Sequence, residues 1–301
     1  MRSLRQCGRR WTRAVGGSRP IPRVAAPPAV PTAARWSTVR GAAPAGSPKR
    51  PKLAHLFLVR ASLHHEALWE EFFSEAGDAF SIYVHPKWPE NVTTGLFRNR
   101  FVPGRRPTEY GRISIVQAEL CLLRASLGDA ANQFFLLHSE SCIPLRPFSA
   151  VYREVFALGT SWFSYHRGSM SRYRQIDARL VPEKHFYKAS QFFCLSRRHA
   201  EFILANGDLT AWKNATFAEE HFLPTVLSMH GRLGECARRA LTFADWSVSR
   251  RESVSSPTTF HRLLPGDAAM LEACDCLFAR KFAADSDVSR HIRLGRAGQR
   301  V

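Results

Sequence analysis

Apolar positions along the chain alternate between short continuous runs and stretches with a helical step. Lys52-Leu-Ala-His-Leu-Phe-Leu-Val59 follows a Pro/Gly-rich region and reads as a first, buried strand. Residues 64–77 have helical content and end at Gly77. Phe80-Ser-Ile-Tyr-Val84 is a second strand, stopped by His85-Pro86, and residues 86–111 form an excursion rich in Pro, Gly and Arg. Ile113, Val116, Leu120, Leu123 and Leu127 step by three and four, which predicts an amphipathic helix ending at Gly128. Gln133-Phe-Phe-Leu-Leu-His138 is a third strand and runs into Ser139-Glu-Ser-Cys-Ile-Pro144.

A helix is expected over 147–157, a fourth strand over Thr160–Tyr165 and a basic loop over 166–188. Ser190–Leu195 reads as a fifth strand, followed by a helix at 197–205. Leu241–Ser247 leads into a Ser/Arg loop, and the last element, Asp275–Ala279, ends in Arg280-Lys281-Phe282. Alternating strand and helix predict an α/β fold with a mostly parallel central sheet flanked by helices. Ligands in such folds lie beyond the carboxyl ends of the strands, which brings His85, Ser139–Pro144 and Arg280–Lys281 to a common rim.

Charge divides the chain. Of the net charge of +18, residues 1–52 carry +12 with no Asp or Glu, leaving +6 for residues 53–301. The Arg/Pro/Ala-rich segment 1–51 reads as a disordered tail with the composition of an organelle transit peptide, and 52–301 as a mildly basic globular domain, the candidate catalytic domain once the motifs below are weighed. No stretch of about 18 apolar residues is present to span a membrane. The seven cysteines contain no CxxC, and Cys274-Asp-Cys276 has no second pair, so no zinc site is expected. The cysteines read as buried free thiols, with one or two disulfides as the alternative. Sequons at Asn91-Val-Thr93 and Asn214-Ala-Thr216 point instead toward the secretory pathway.

The candidate chemistry centres on Thr216-Phe-Ala-Glu-Glu-His-Phe-Leu-Pro-Thr225. Adjacent side chains on a helix diverge by about 100°, so Glu219 and Glu220 serve different roles. Thr216 and Glu219 fit a capping box, which leaves Glu220 free as a general base, against a plain surface helix start; a further alternative starts the helix at Pro224 with both glutamates on the preceding loop. Arg280-Lys281 suits a diphosphate, against a solvated strand end or a salt bridge. Glu140 suits a ligand hydroxyl, against a plain turn, and Trp246 suits a sugar ring, against a core position. Asp285-Ser-Asp287 matches a metal-binding pattern but lies beyond the last strand. At the third-strand rim Glu140 stands alone, a poor site for a divalent ion.

The order of these motifs resembles the core-2/I-branching β-1,6-N-acetylglucosaminyltransferase family, glycosyltransferase family 14, in its plant- and alga-type branch. The resemblance rests on Lys52–Leu58; Ile82-Tyr-Val-His-Pro86; Tyr110-Gly111 with Ser114 and Ala118-Glu119; Leu136–Leu145; Lys188–Phe193 with Arg197 and Ala200; Glu219–Thr225; Leu241–Ser247; and Leu277–Phe282. It implies a GT-A-like domain, inverting transfer from a UDP-sugar to a glycan or glycoprotein hydroxyl, no metal cofactor, and a Golgi membrane setting. The base glutamate falls on Glu220, the diphosphate lysine on Lys281 and an acceptor-contacting tryptophan on Trp246. Arg251 and Arg262 are the candidates for a second diphosphate arginine. Glu219 stands for the usual aspartate, Tyr110 for a tryptophan, and Ser255-Ser256-Pro257 where a His-Pro pair is common. Two rival readings are a basic organelle nucleic-acid-binding protein and an inactive glycan-binding relative. The +6 domain lacks an RNA-recognition signature, which counts against the first.

Overall fold

Strand β1 (Lys52–Val59) is apolar at nearly every position because both of its faces are covered. The computed structural model describes residues 50–248, 250, 253–254, 256–292 and 294; the tail, Cys7, Arg251 and Ser255 fall outside them. β1 leads into α1 (Glu66–Ser74), β2 (Phe80–Pro86), α2 (Ser114–Ser126), β3 (Asn132–His138), β4 (Ile143–Pro144) and α3 (Phe148–Leu158). Then come β5 (Tyr165–Arg167), α4 (Met170–Tyr173), β6 (Tyr187–Ala189), β7 (Cys194–Ser196), α5 (Arg197–Asn206) and α6 (Phe222–Met229). The chain closes with β8 (Thr242–Ala244), α7 (Pro265–Ala273) and β9 (Phe278–Arg280).

The central sheet runs β2-β1-β3-β7. β2, β1 and β3 are parallel, and β7 pairs antiparallel with β3. Leu53, Phe57 and Val59 pack with Trp69 and Phe72 of α1, Phe148 of α3 and Leu271 of α7. Ala54 and Leu56 pack on the other side with Val116 and Leu123 of α2, Ile203 of α5 and Leu227 of α6. Burying each such Leu or Phe stabilises the fold by roughly 1.5–3 kcal/mol, far more than the propensity of a three-residue strand. The mixed α/β architecture is therefore set by two-sided burial of three parallel strands.

β9 lies between β4 and β8 in a second sheet, antiparallel to the first and parallel to the second. Phe282 N donates to Ser141 O over 3.0 Å, which locks the chain after Arg280-Lys281 against the segment that follows β3. β5 and β6 form a separate hairpin around the basic loop.

Two expected elements differ and one helix is additional. Thr160–Tyr165 is not one strand: Trp162 makes isolated bridges to Cys194 and to Ala237, and Tyr165 begins β5. Ser190–Leu195 divides, with β6 ending at Ala189 and β7 beginning at Cys194. α7 was not anticipated; its Pro265 sits in the first turn, a position where the missing N–H costs nothing. The six described cysteines are unpaired, with Cys142, Cys194 and Cys236 buried.

Candidate active site

The carboxyl ends of the parallel strands open onto a cavity of about 220 Å³. Val59 and Arg60 from the end of β1, Lys87 after β2, and Ser139 and Glu140 after β3 form one side. Tyr110, Gln191, Phe192, Arg280 and Lys281 form the other. A larger hollow of about 560 Å³ lies along Pro103, Leu120, Arg124 and Leu209, away from the strand ends. The smaller cavity is the better candidate because charged groups from four separate chain segments converge there.

Glu140 is 8% exposed, and its carboxylate is taken up by Arg60. Arg60 Nε donates to Oε1 over 2.7 Å and its backbone N to Oε2 over 3.3 Å. Arg280 packs its guanidinium carbon 4.4 Å over the Phe192 ring. Burial pushes this guanidinium below its ordinary range, against the pull of Cys142, Glu140 and Glu220. Its Nε is buried and has no hydrogen-bond partner among the described residues. A buried cationic N–H without an acceptor is costly, and an anionic oxygen is the group that would satisfy it.

The adjacent glutamates lie on a 3₁₀ turn, Ala218–Glu220, just before α6. No side chain caps this helix, so the expected capping box is absent. Thr216 Oγ1 donates instead to Gln175 Oε1, and also accepts from Arg172. Pro224 falls in the first turn of α6, where it breaks no helical hydrogen bond. The two carboxylates still part company. Glu219 is 7% exposed, its Oε2 lacks a partner, and burial pushes its carboxyl up to about 7. Glu220 is half-buried and pairs with Lys188, Nζ to Oε2 at 3.0 Å.

Backbone geometry anchors this turn beside the cavity. Phe217 N donates to Gly111 O over 2.9 Å, and Phe217 sits at φ 56°, in the left-handed region. Gly111, at φ 68°, follows Tyr110 of the cavity wall; a Cβ there would meet the Phe217 ring at 3.3 Å. Only glycine allows both the backbone angle and the close approach. His221 donates from Nδ1 to Phe217 O over 3.0 Å and stacks on Phe186, closing the turn.

Of the residues expected at the rim, Glu140, Arg280 and Lys281 line the cavity. Glu220 is not part of the wall; it lies outside it, paired with Lys188. His85 does not join them: it is fully buried, its Nε2 accepts from Arg106 N over 3.2 Å, and burial pushes its ring pKa down. Trp246 is 46% exposed and is not part of the wall, so neither the cavity nor the core holds it. Arg262 lies in another hollow with Asp285 and Asp287, whose carboxylates face His261, His291 and Leu263 N. Arg60 and Lys87 are wall residues that sequence reasoning missed, and Gln191 lay in the Lys188–Phe193 segment of the resemblance without an assigned role. Arg60 and Lys87 had a signal, since each is the first cation after a parallel strand.

A glycosyltransferase from Oryza sativa subsp. japonica, Glycosyltransferase BC10, is 29% identical over 237 residues, which are 67% of this chain and 59% of the relative. The chain thus spans about 59% of the length of the curated relative it matches. Among solved structures, the crystal structure of A197 from STIV superposes at a TM-score of 0.29 and 10% identity, over 57% of this chain and 79% of that one. The family model for the Core-2/I-Branching enzyme matches residues 53–270. The chain belongs to the Core-2/I-Branching enzyme family.

Proposed function

We propose that the protein is an inverting glycosyltransferase that moves a sugar from a UDP-sugar to a glycan or glycoprotein hydroxyl. N-acetylglucosamine or a related sugar is the donor group by family resemblance. The observation that carries the reading is the strand-end cavity walled by the adjacent cations Arg280 and Lys281, with the buried Nε of Arg280 left without a hydrogen-bond partner among the described residues. Arg280 and Lys281 meet the charge of the leaving diphosphate. Glu220 takes the proton of the acceptor hydroxyl as its oxygen attacks the anomeric carbon. Glu220 is chosen over Glu219 because it is reachable: Glu219 is sealed beneath the turn.

The reaction runs without a metal in this reading. Glu140 is the carboxylate on the cavity wall, and Arg60 already occupies both of its oxygens. Replacing Arg60 by a divalent ion would leave one carboxylate to hold it, short of the six or more oxygen ligands such ions take. Trp246, exposed beside β8, serves acceptor contact, and His85 supports the fold.

The protein acts in the secretory pathway, at the Golgi, and Asn91 and Asn214 of the two sequons are both exposed. Among the described residues no helix is long and apolar enough to cross a membrane. The test is a screen of the full chain against several UDP-sugars with glycan acceptors, reading UDP release and the anomeric configuration of the product. Inverted product supports the reading. Failure of every UDP-sugar to be bound or turned over sinks it.

A further inference from the structure

Gln191 is a wall residue with no part in the chemistry above. It lies in the turn before β7, between Ala189 of β6 and Phe192, whose ring carries Arg280. Its amide Nε2 donates to Oε1 of Glu119 over 2.8 Å. In the structure that bond turns the amide nitrogen toward Glu119. The opposite end of the planar amide, Oε1, is therefore held as an acceptor. It has no hydrogen-bond partner among the described residues.

Glu119 explains why this arrangement is more than packing. It sits on α2 with 0% exposure, within the electrostatic reach of Glu219, and its second oxygen has no partner among the described residues. Burial, with the nearby Glu219 charge adding to it, pushes its carboxyl well above the ordinary range. An apolar side chain would fill the same place without that penalty. What the carboxyl supplies is a glutamine with three side-chain torsions already ordered before any ligand arrives.

Resting on the UDP-sugar reading, we infer that Gln191 determines donor specificity by accepting a hydrogen bond from a neutral O–H or N–H of the nucleotide sugar, and that Glu119 is its positioning residue. The division of labour on this wall follows from chemistry. Arg280 offers donors and selects phosphate oxygens; the Gln191 carbonyl offers an acceptor and rejects them. A donor molecule lacking the O–H or N–H leaves the carbonyl desolvated and unpaired, the strongest form of discrimination a small pocket has. The group read is on the nucleobase or on the sugar.

Calorimetry on the full chain with UDP and with UDP-N-acetylglucosamine separates the two sources. Gln191→Leu keeps the volume and removes the acceptor. A loss of roughly 10–100-fold for UDP-N-acetylglucosamine with UDP unchanged places the group on the sugar; an equal loss for both places it on the base. Glu119→Gln should lower affinity less, and should shift the Gln191 side-chain amide resonances in a ¹⁵N spectrum of the free protein, a signature that a purely packing role for Glu119 would not produce. If the wild type binds either probe and Gln191→Leu binds both as tightly, the inference is overturned while the donor reading stands. If the wild type binds neither probe, the donor reading falls and takes the inference with it.

Discussion

Lys188 of strand β6 places its Nζ 3.0 Å from Oε2 of Glu220, across from the 3₁₀ turn that carries the two glutamates. Both side chains are partly exposed, so the pair contributes at most about 1 kcal/mol to stability. Its consequence is geometric: it aims one carboxylate while its neighbour is sealed inside.

Glu220→Gln retains the shape and loses the ability to accept a proton. It should lower kcat by about 10²-fold or more with UDP affinity nearly unchanged. Steady-state kinetics with UDP titration checks both halves. A dead Glu219→Gln beside an active Glu220→Gln would move the base one residue earlier.

Glu219 couples stability to pH. Its carboxyl lies at about 7 in the fold against an ordinary 4.5. A raised folded value means that the fold binds this proton more tightly than the open chain. Stability is therefore highest below 4.5 and falls as pH rises to about 7, by roughly 3 kcal/mol for this group. Glu119, shifted the same way, steepens the fall. Urea denaturation between pH 4.5 and 8 should show Glu219→Gln flattening the profile and exceeding the wild type at pH 8. Parallel profiles would show the carboxyl to be solvated.

Arg280→Met and Lys281→Ala should each weaken UDP binding by roughly 10–100-fold, the scale of one or two hydrogen bonds to a charged group. Calorimetry with UDP reads this directly. Retained affinity in both would remove the diphosphate from this wall.

Chelation should leave transfer intact. Arg60 already holds both oxygens of Glu140, which leaves no paired carboxylates on the cavity wall. Abolition by EDTA with recovery on Mn²⁺ would refute the metal-free mechanism.

Gly111→Ala should destabilise the protein by about 1–2 kcal/mol, from the left-handed backbone angle and from the 3.3 Å approach to Phe217. Because Phe217 N bonds Gly111 O, kcat should fall along with the melting temperature. A melting temperature unchanged from the wild type would mean that the Gly111–Phe217 contact is not maintained in solution.

Much of the fold was legible because period and length are local properties. The runs at 52–59, 80–84 and 133–138 are too short for helices and apolar on both faces, and each is a strand of the parallel sheet. α2 was readable from its three-and-four step. The 160–195 region was not, because its pairings come from Ala237 and from the distant end of β3, which no local pattern encodes.

For the site, residue chemistry and the strand-end rule were enough to bring Glu140 and Arg280-Lys281 to one cavity. Which glutamate is buried was decided only by tertiary structure. The capping-box pattern at Thr216 lost to Gln175 and Arg172, which claimed its hydroxyl from another segment. His85 stood at a strand end in the sequence, but its complete burial is a property of the assembled fold. Gln191 lay within the Lys188–Phe193 segment of the resemblance, but nothing there assigned it a role. A glutamine becomes a directed acceptor only when a carboxyl 72 residues earlier is buried against it, and burial is a property of the assembled fold.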